Sequence, residues 1–160
     1  NILKLATSRE IANDALDLAL LIQDNTGLDT TTDAMREFSN IELLVFQHKM
    51  DEAIISLENM LNNFPGHSLI DEIYFEMANI YIRAGNFEKA VNPLQKIDQY
   101  YADDILADDA IMTLAKLYEE KLNKKEIAQE LYQDIILNHS GSIYVDEARK
   151  RFRVLRGDFN

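Results

Sequence analysis

The chain has 160 residues, 47% of them hydrophobic and 28% charged, with no cysteine and a formal net charge of −12. That length suits a single domain with a real core, and the lack of cysteine excludes disulfides, thiolate metal sites and cysteine nucleophiles. The negative charge opposes binding to nucleic acid, whose phosphates need a basic surface, and to anionic lipid for the same reason.

Apolar residues follow helical spacing along almost the whole chain, and no segment shows the sustained alternation of strands. Ile11, Ala15, Leu18 and Ile22 form one face of a first predicted helix. Its apolar stretch, Ala15 to Ile22, is broken by Asp17 and is far too short to span a bilayer. Polar breaks follow at Asp24-Asn25-Thr26-Gly27, Pro65-Gly66-His67-Ser68, Ala84-Gly85-Asn86 and Asn138-His139-Ser140-Gly141-Ser142. Between them lie segments long enough for helices of three to five turns. The charge is uneven along the chain: residues 141–160 hold five basic and three acidic side chains, so the first 140 residues carry −14. No signal peptide is visible. The chain starts at Asn1 with no methionine, which points to a piece of a longer protein, and a targeting signal or lipid anchor could lie in the missing part.

The segments repeat. Tyr74-x-x-Met77-Ala78-x-x-Tyr81 is followed by Ala90-x-x-x-Leu94-x-x-Ile97. Ile111-x-x-Leu114-Ala115-x-x-Tyr118 is followed by Ala128-x-x-x-Tyr132-x-x-Ile135. An earlier copy ends in Ala53-x-x-x-Leu57-x-x-Met60 and Pro65. Ala53 to Ala90 and Ala78 to Ala115 are 37 residues apart, and Ala90 to Ala128 is 38. The helix starts repeat at Asp71, Asp108 and Asp146 with the same spacings.

This pattern resembles the tetratricopeptide repeat, in which a small residue of the first helix and an alanine of the second let paired helices approach closely. The period is longer than the usual ~34 residues. The resemblance implies an all-α fold, a right-handed superhelical solenoid of antiparallel helix pairs. As a single helical-repeat domain it would comprise part of a preceding repeat (1–32), repeats at 33–67, 68–104 and 105–142, and a C-terminal capping helix (143–160). In the first copy a strict 37-residue offset puts Glu37 and Asn40 at core positions, and a shift of one residue puts Phe38, Ile41 and Val45 there instead. Pro93 falls inside a predicted second helix, where it should remove one backbone hydrogen bond and bend the helix. The longer period and the linkers around Pro65 and Gly141 also resemble bacterial envelope repeat proteins of the outer-membrane-assembly lipoprotein and Tol-Pal coordinator types. That resemblance favours a periplasmic or envelope location over a cytoplasmic one.

Stacked hairpins bury what one hairpin cannot and expose a long concave surface. In the family the first helix of each pair lines that surface. Carried over, the contact positions are Phe38, Glu42 and Phe46, then Phe75, Asn79 and Arg83, then Met112, Lys116 and Glu120. Phe38, Phe75 and Met112 would form an apolar stripe across the groove, suited to anchoring a partner helix or extended peptide; equally, the three could be core. Phe, Met and Glu at several of these positions argue against a clamp for a partner's terminal carboxylate.

Other constellations have plain readings. The acidic pairs Asp71/Glu72, Asp108/Asp109 and Asp146/Glu147 belong in first helical turns, where the helix dipole favours carboxylates. Adjacent residues point ~100° apart, so no pair makes an acid–base site by itself. His48, His67 and His139 fall at predicted turns without metal-ligand spacing, and read as turn or surface histidines. The oxygen-rich run from Asp24 to Asp33 lacks the glycine and glutamate positions of a calcium loop, and reads as a turn before a helix cap. No phosphate loop or nucleophile elbow occurs. The basic run Arg149 to Arg156 reads as a capping helix with Phe152 and Leu155 inward and the arginines outward; pairing with the acidic body of a neighbouring copy is a further option.

The expectation is therefore a non-catalytic scaffold for a protein or peptide partner, with no cofactor, no metal and no membrane insertion within the chain. The alternatives are a structural spacer in a longer repeat protein, or an enzyme domain with a site between repeats.

Overall fold

The computed structural model describes residues 32–158. They form seven helices and no strand: α1 (Thr32–Phe46), α2 (Met50–Asn63), α3 (Ile70–Arg83), α4 (Phe87–Tyr100), α5 (Ala107–Glu120), α6 (Lys125–Asn138) and α7 (Val145–Arg156). The expected helix around Ile11–Ile22 and the run from Asp24 to Thr31 lie outside the described residues. Each helix packs on its neighbour in sequence, so the chain is an all-helical solenoid of hairpins α1–α2, α3–α4 and α5–α6, followed by α7.

Backbone hydrogen bonds carry the same period as the side chains. Inside each hairpin the chain reverses through one left-handed residue: His48 (φ 59°), Gly85 (φ 73°) and Asn123 (φ 52°). The next amide N–H then reaches back into the first helix, from Lys49 to the Leu44 carbonyl (2.9 Å), Asn86 to Tyr81 (2.8 Å) and Lys124 to Tyr118 (2.8 Å). Such a turn uses carbonyls that the helix end leaves unpaired. At Gly85 a Cβ would meet nothing within 4 Å, so the glycine serves the positive φ rather than a close approach. The α5–α6 turn holds four residues where the others hold three, which is why the last repeat is one residue longer.

Between hairpins, three equivalent turns carry matching bonds. The N–H groups of His67, Asp104 and Ser142 donate to the carbonyls of Phe64, Tyr101 and His139 at 2.8–3.2 Å. Those of Ile70, Ala107 and Val145 then donate to His67, Asp104 and Ser142 at 3.1–3.3 Å. The acidic pairs occupy the first turns of α3, α5 and α7 as expected.

Helical spacing gives α3 and α5 two apolar faces each. The rear face of α3 (Ile73, Met77, Ile80) completes a core with α1 and α2, and its front face (Tyr74, Ala78, Tyr81) packs into a second core that runs to α7. In α5 the corresponding faces are Ala110, Leu114 and Leu117, and Ile111, Ala115 and Tyr118, all buried. Ala53, Ala90 and Ala128, on the second helix of each hairpin, are fully buried at the contact.

The structure chooses between the two registers read for α1. In α1 the buried residues are Ala34, Phe38, Ile41 and Val45, while Asn40 is exposed. The turn after α1 matches the next repeat at an offset of 37 residues, so the chain has not slipped; α1 turns a different face inward because Glu37 and Asn40 carry polar groups the core cannot satisfy. Pro93 is buried inside α4, which continues through it to Tyr100. The Lys89 carbonyl loses its usual donor there.

Candidate partner-binding groove

The odd-numbered helices place the nine expected contact residues in three rows. The first row does not form an exposed stripe. Phe38 is 3% exposed and packs in the core of the first hairpin, and Met112 is 2% exposed in the second core. Phe75 alone is half-buried, against the second core. The apolar surface expected from these three is therefore corrected: burial of two large side chains is worth ~1.5–3 kcal/mol each, and α1 and α5 take that gain.

The second row, Glu42, Asn79 and Lys116, is half-buried, and the third, Phe46, Arg83 and Glu120, is exposed, with Phe46 at 70%. These two rows are thus mixed: one aromatic ring, one guanidinium, one ammonium, one amide and two carboxylates. Between these rows on α3 lies Glu76, which sequence reasoning missed. Burial raises its pKa, opposed by the Arg83 charge and a hydrogen bond with Asn79. Among the described residues its Oε1 is buried without a hydrogen-bond partner.

At the C-terminal end the strip is occupied from within. Lys116 Nζ lies 2.9 Å from Glu147 Oε1. Arg151 Nη1 lies 2.8 Å from both Glu119 Oε2 and Glu120 Oε1, and its Nε 3.1 Å from Glu147 Oε1. Behind them the Tyr132 hydroxyl donates to Glu119 Oε2 at 2.6 Å. Burial opposes the Arg151 charge, but its hydrogen bonds to Glu119 and Glu120 more than offset this and raise its pKa. Burial first, then the bond to Glu119, pushes the Tyr132 phenol up, while the bond from Lys116 holds the Glu147 carboxyl below its ordinary range. Lys116 and Glu120 therefore latch α5 to α7. Arg151 was expected to point outward and instead points into this network, the half-buried partner that three carboxylates require.

The family model for the tetratricopeptide repeat matches residues 72–104 and 109–142. These two segments, one on α3–α4 and one on α5–α6, match the tetratricopeptide repeat. A tetratricopeptide repeat protein from Parabacteroides merdae ATCC 43184 superposes with a TM-score of 0.62 at 16% sequence identity, over 97% of this chain and 57% of that one. At that identity the likeness shows the fold alone, and this chain spans little more than half of that protein's length. The curated proteins contain no match. Proteins of this repeat type are generally non-catalytic and bind other proteins.

His48 is exposed in its turn as expected, but the other two histidines are less superficial than their turn positions suggested. His67 is buried, and its Nδ1 accepts the Leu69 N–H at 3.1 Å, fastening the turn before the first matched repeat. His139 closes α6 with Nδ1 2.7 Å from Asp108 and Nε2 3.6 Å from Asp134, tying the end of one repeat to the start of its own first helix. Nearby, burial and the Asp134 charge raise the Asp98 carboxyl, opposed by His139. The Tyr144 hydroxyl donates to Asp109, and that bond, with burial, leaves its pKa pushed up to about 12. Among the described residues no group of three acidic or histidine side chains could hold a metal ion. The signal for the Arg151 latch is present but faint: counting back through the repeats it falls on Thr113, Glu76 and Ser39, a polar row between successive first helices.

Proposed function

We propose that the chain is a non-catalytic scaffold that recruits a protein or peptide along the strip of its first helices, through Glu42, Phe46, Phe75, Asn79 and Arg83, with Lys116 and Glu120 framing its end. The observation that carries this reading is the exposed pair Phe46 and Arg83, which place an aromatic anchor and a cation at equivalent positions of successive repeats. Aromatic and arginine side chains are the groups that most often dominate a protein contact. A partner offering an apolar residue followed by a carboxylate suits them. The negative charge still speaks against nucleic acid. No helix among the described residues is long and apolar enough to cross a membrane. An envelope or periplasmic setting, within a larger protein, stays part of the proposal and rests on the linker resemblance.

The test is affinity capture from envelope and soluble fractions, comparing the wild type with Phe46→Glu/Arg83→Glu. Both side chains are exposed, so the variant should keep its helical circular dichroism. A protein held by the wild type and released by the folded variant supports the strip, and its fraction locates the compartment. Identical captures would instead favour the spacer reading, for which the internal commitment of Lys116 and Glu120 is the motivating observation.

A further inference from the structure

The basic helix α7 stands where α3 and α5 stand in their repeats. Its rear face keeps the repeat's apolar pattern: Val145, Ala148, Phe152 and Leu155 pack on the second core. Its front face does not. In α3 and α5 that face is Tyr74, Ala78 and Tyr81, and Ile111, Ala115 and Tyr118, packed beneath the second helix of the hairpin. Thirty-eight residues after the α5 set come Arg149, Arg153 and Arg156, all exposed. Lys150 and Val154, the latter 62% exposed, border them.

Arg149 pairs with Asp146 at 3.0 Å and Arg156 with Asp158, all at exposed positions of the same segment. Surface pairs of this kind contribute little and exchange readily. The face is shaped like the seat of a hairpin's second helix, yet it selects for carboxylates.

The chain supplies a helix of that chemistry. On α2, itself a second helix of a hairpin, Asp51, Glu52, Ile55 and Glu58 are exposed. Asp51, Ile55 and Glu58 follow the same i, i+4, i+7 spacing as the three arginines. Laid antiparallel, Asp51 meets Arg156, Glu58 meets Arg149, and Ile55 meets the Arg153 stem and Val154. Among the described residues the counter-charge paired with Glu52 is Lys49, at 4.0 Å. We propose that a second copy of this chain docks the acidic face of its α2 on the arginine face of α7. Such a contact joins unlike surfaces, so it either closes into a ring or dimer or runs on as a chain. It must overcome repulsion between two bodies of net charge −12, which physiological salt screens beyond ~8 Å while leaving close pairs intact.

Sedimentation equilibrium of the 160-residue chain tests this. The wild type should self-associate below about 1 mM, and rising salt should weaken that association. Arg149→Glu/Arg153→Glu/Arg156→Glu and Asp51→Lys/Glu52→Lys/Glu58→Lys should each be monomeric, because each sets like charges against like. An equimolar mixture of the two should associate again, since one retains a wild-type α2 and the other a wild-type α7. A wild type monomeric throughout overturns the proposal, as does association that either folded variant leaves unchanged or a mixture that stays monomeric. If the α7 variant loses its helical signal, the α2 variant decides alone, provided its own helical signal is kept, because its substitutions lie at exposed positions.

Discussion

The two cores of this solenoid solve the same packing problem with different side chains. From the front of α3 to α7, small residues (Ala78, Ala115) face the alanines of the next helix (Ala90, Ala128), and large residues close the edges. In the first hairpin the small-residue position holds Ile41, and Phe38 turns inward to pack with Leu57 and Met60. Tyr74 and Tyr81 touch both cores and form the seam. The tetratricopeptide match covers only the second region, although the backbone turns are the same in both. The period is thus written in the turns, and the side chains can vary within it so long as apolar volume is kept.

The sharpest way to separate the regions is to open a cavity in each. Leu94→Ala and Leu57→Ala remove equivalent fully buried side chains, at a cost of ~2–5 kcal/mol each. A repeat stack is stabilised by nearest neighbours. Leu57→Ala should therefore release amide protection in α1 and α2 while α4 to α6 stay protected by hydrogen exchange, whereas Leu94→Ala should lower protection on both sides of α4. Equal loss everywhere for both variants would mean one cooperative core, and the distinction between regions would fall.

This contrast explains what was legible from the sequence. The alanines at intervals of 37 and 38, and the tyrosines beside them, fixed the hairpins because close helix approach tolerates little else. The face of α1 was harder to read, since two adjacent registers each offered plausible residues and only packing against α2 chooses between them. Arg151 was hidden for another reason. In a basic run an arginine reads as solvated, and only three carboxylates brought from α5 and from the preceding turn of α7 show otherwise. The apolar stripe failed because Phe38 and Met112 were worth more inside than out.

Charge fastens the second region where the first relies on apolar contact, and Arg151→Met tests how much that matters. It keeps most of the packing volume but leaves Glu119, Glu120 and Glu147 facing one another. A half-buried network of this kind should lose ~1–3 kcal/mol, with α7 showing the greatest rise in hydrogen exchange. Adding Glu119→Gln should recover part of the loss if the carboxylates repel, and the α1–α2 core should be indifferent to both changes. A loss of exchange protection centred on α2 would contradict the assignment of this latch to one region.

The smallest effect falls on α3, which both cores share. Burial raises the Glu76 carboxyl above its ordinary value of 4.5, although Arg83 and Asn79 oppose the shift. In this case the folded state binds the proton more readily than the unfolded one, so ionisation of Glu76 costs stability at neutral pH. That cost is relieved as pH falls through the raised pKa towards 4.5. Glu76→Gln should therefore stabilise the protein by ~0.5–1 kcal/mol near pH 7, and the advantage should shrink on acidification. Asp98 and Asp104, also raised, act with the same sign and will leave some of the wild-type slope in place. Glu147 acts with the opposite sign, because its lowered pKa gives stability that is lost below 4.5. Urea unfolding at pH 7 and pH 5 should thus show the two chains converging. A constant gap would mean that the carboxylate's charge is not what α3 resists, and that the substitution acts through packing at the seam.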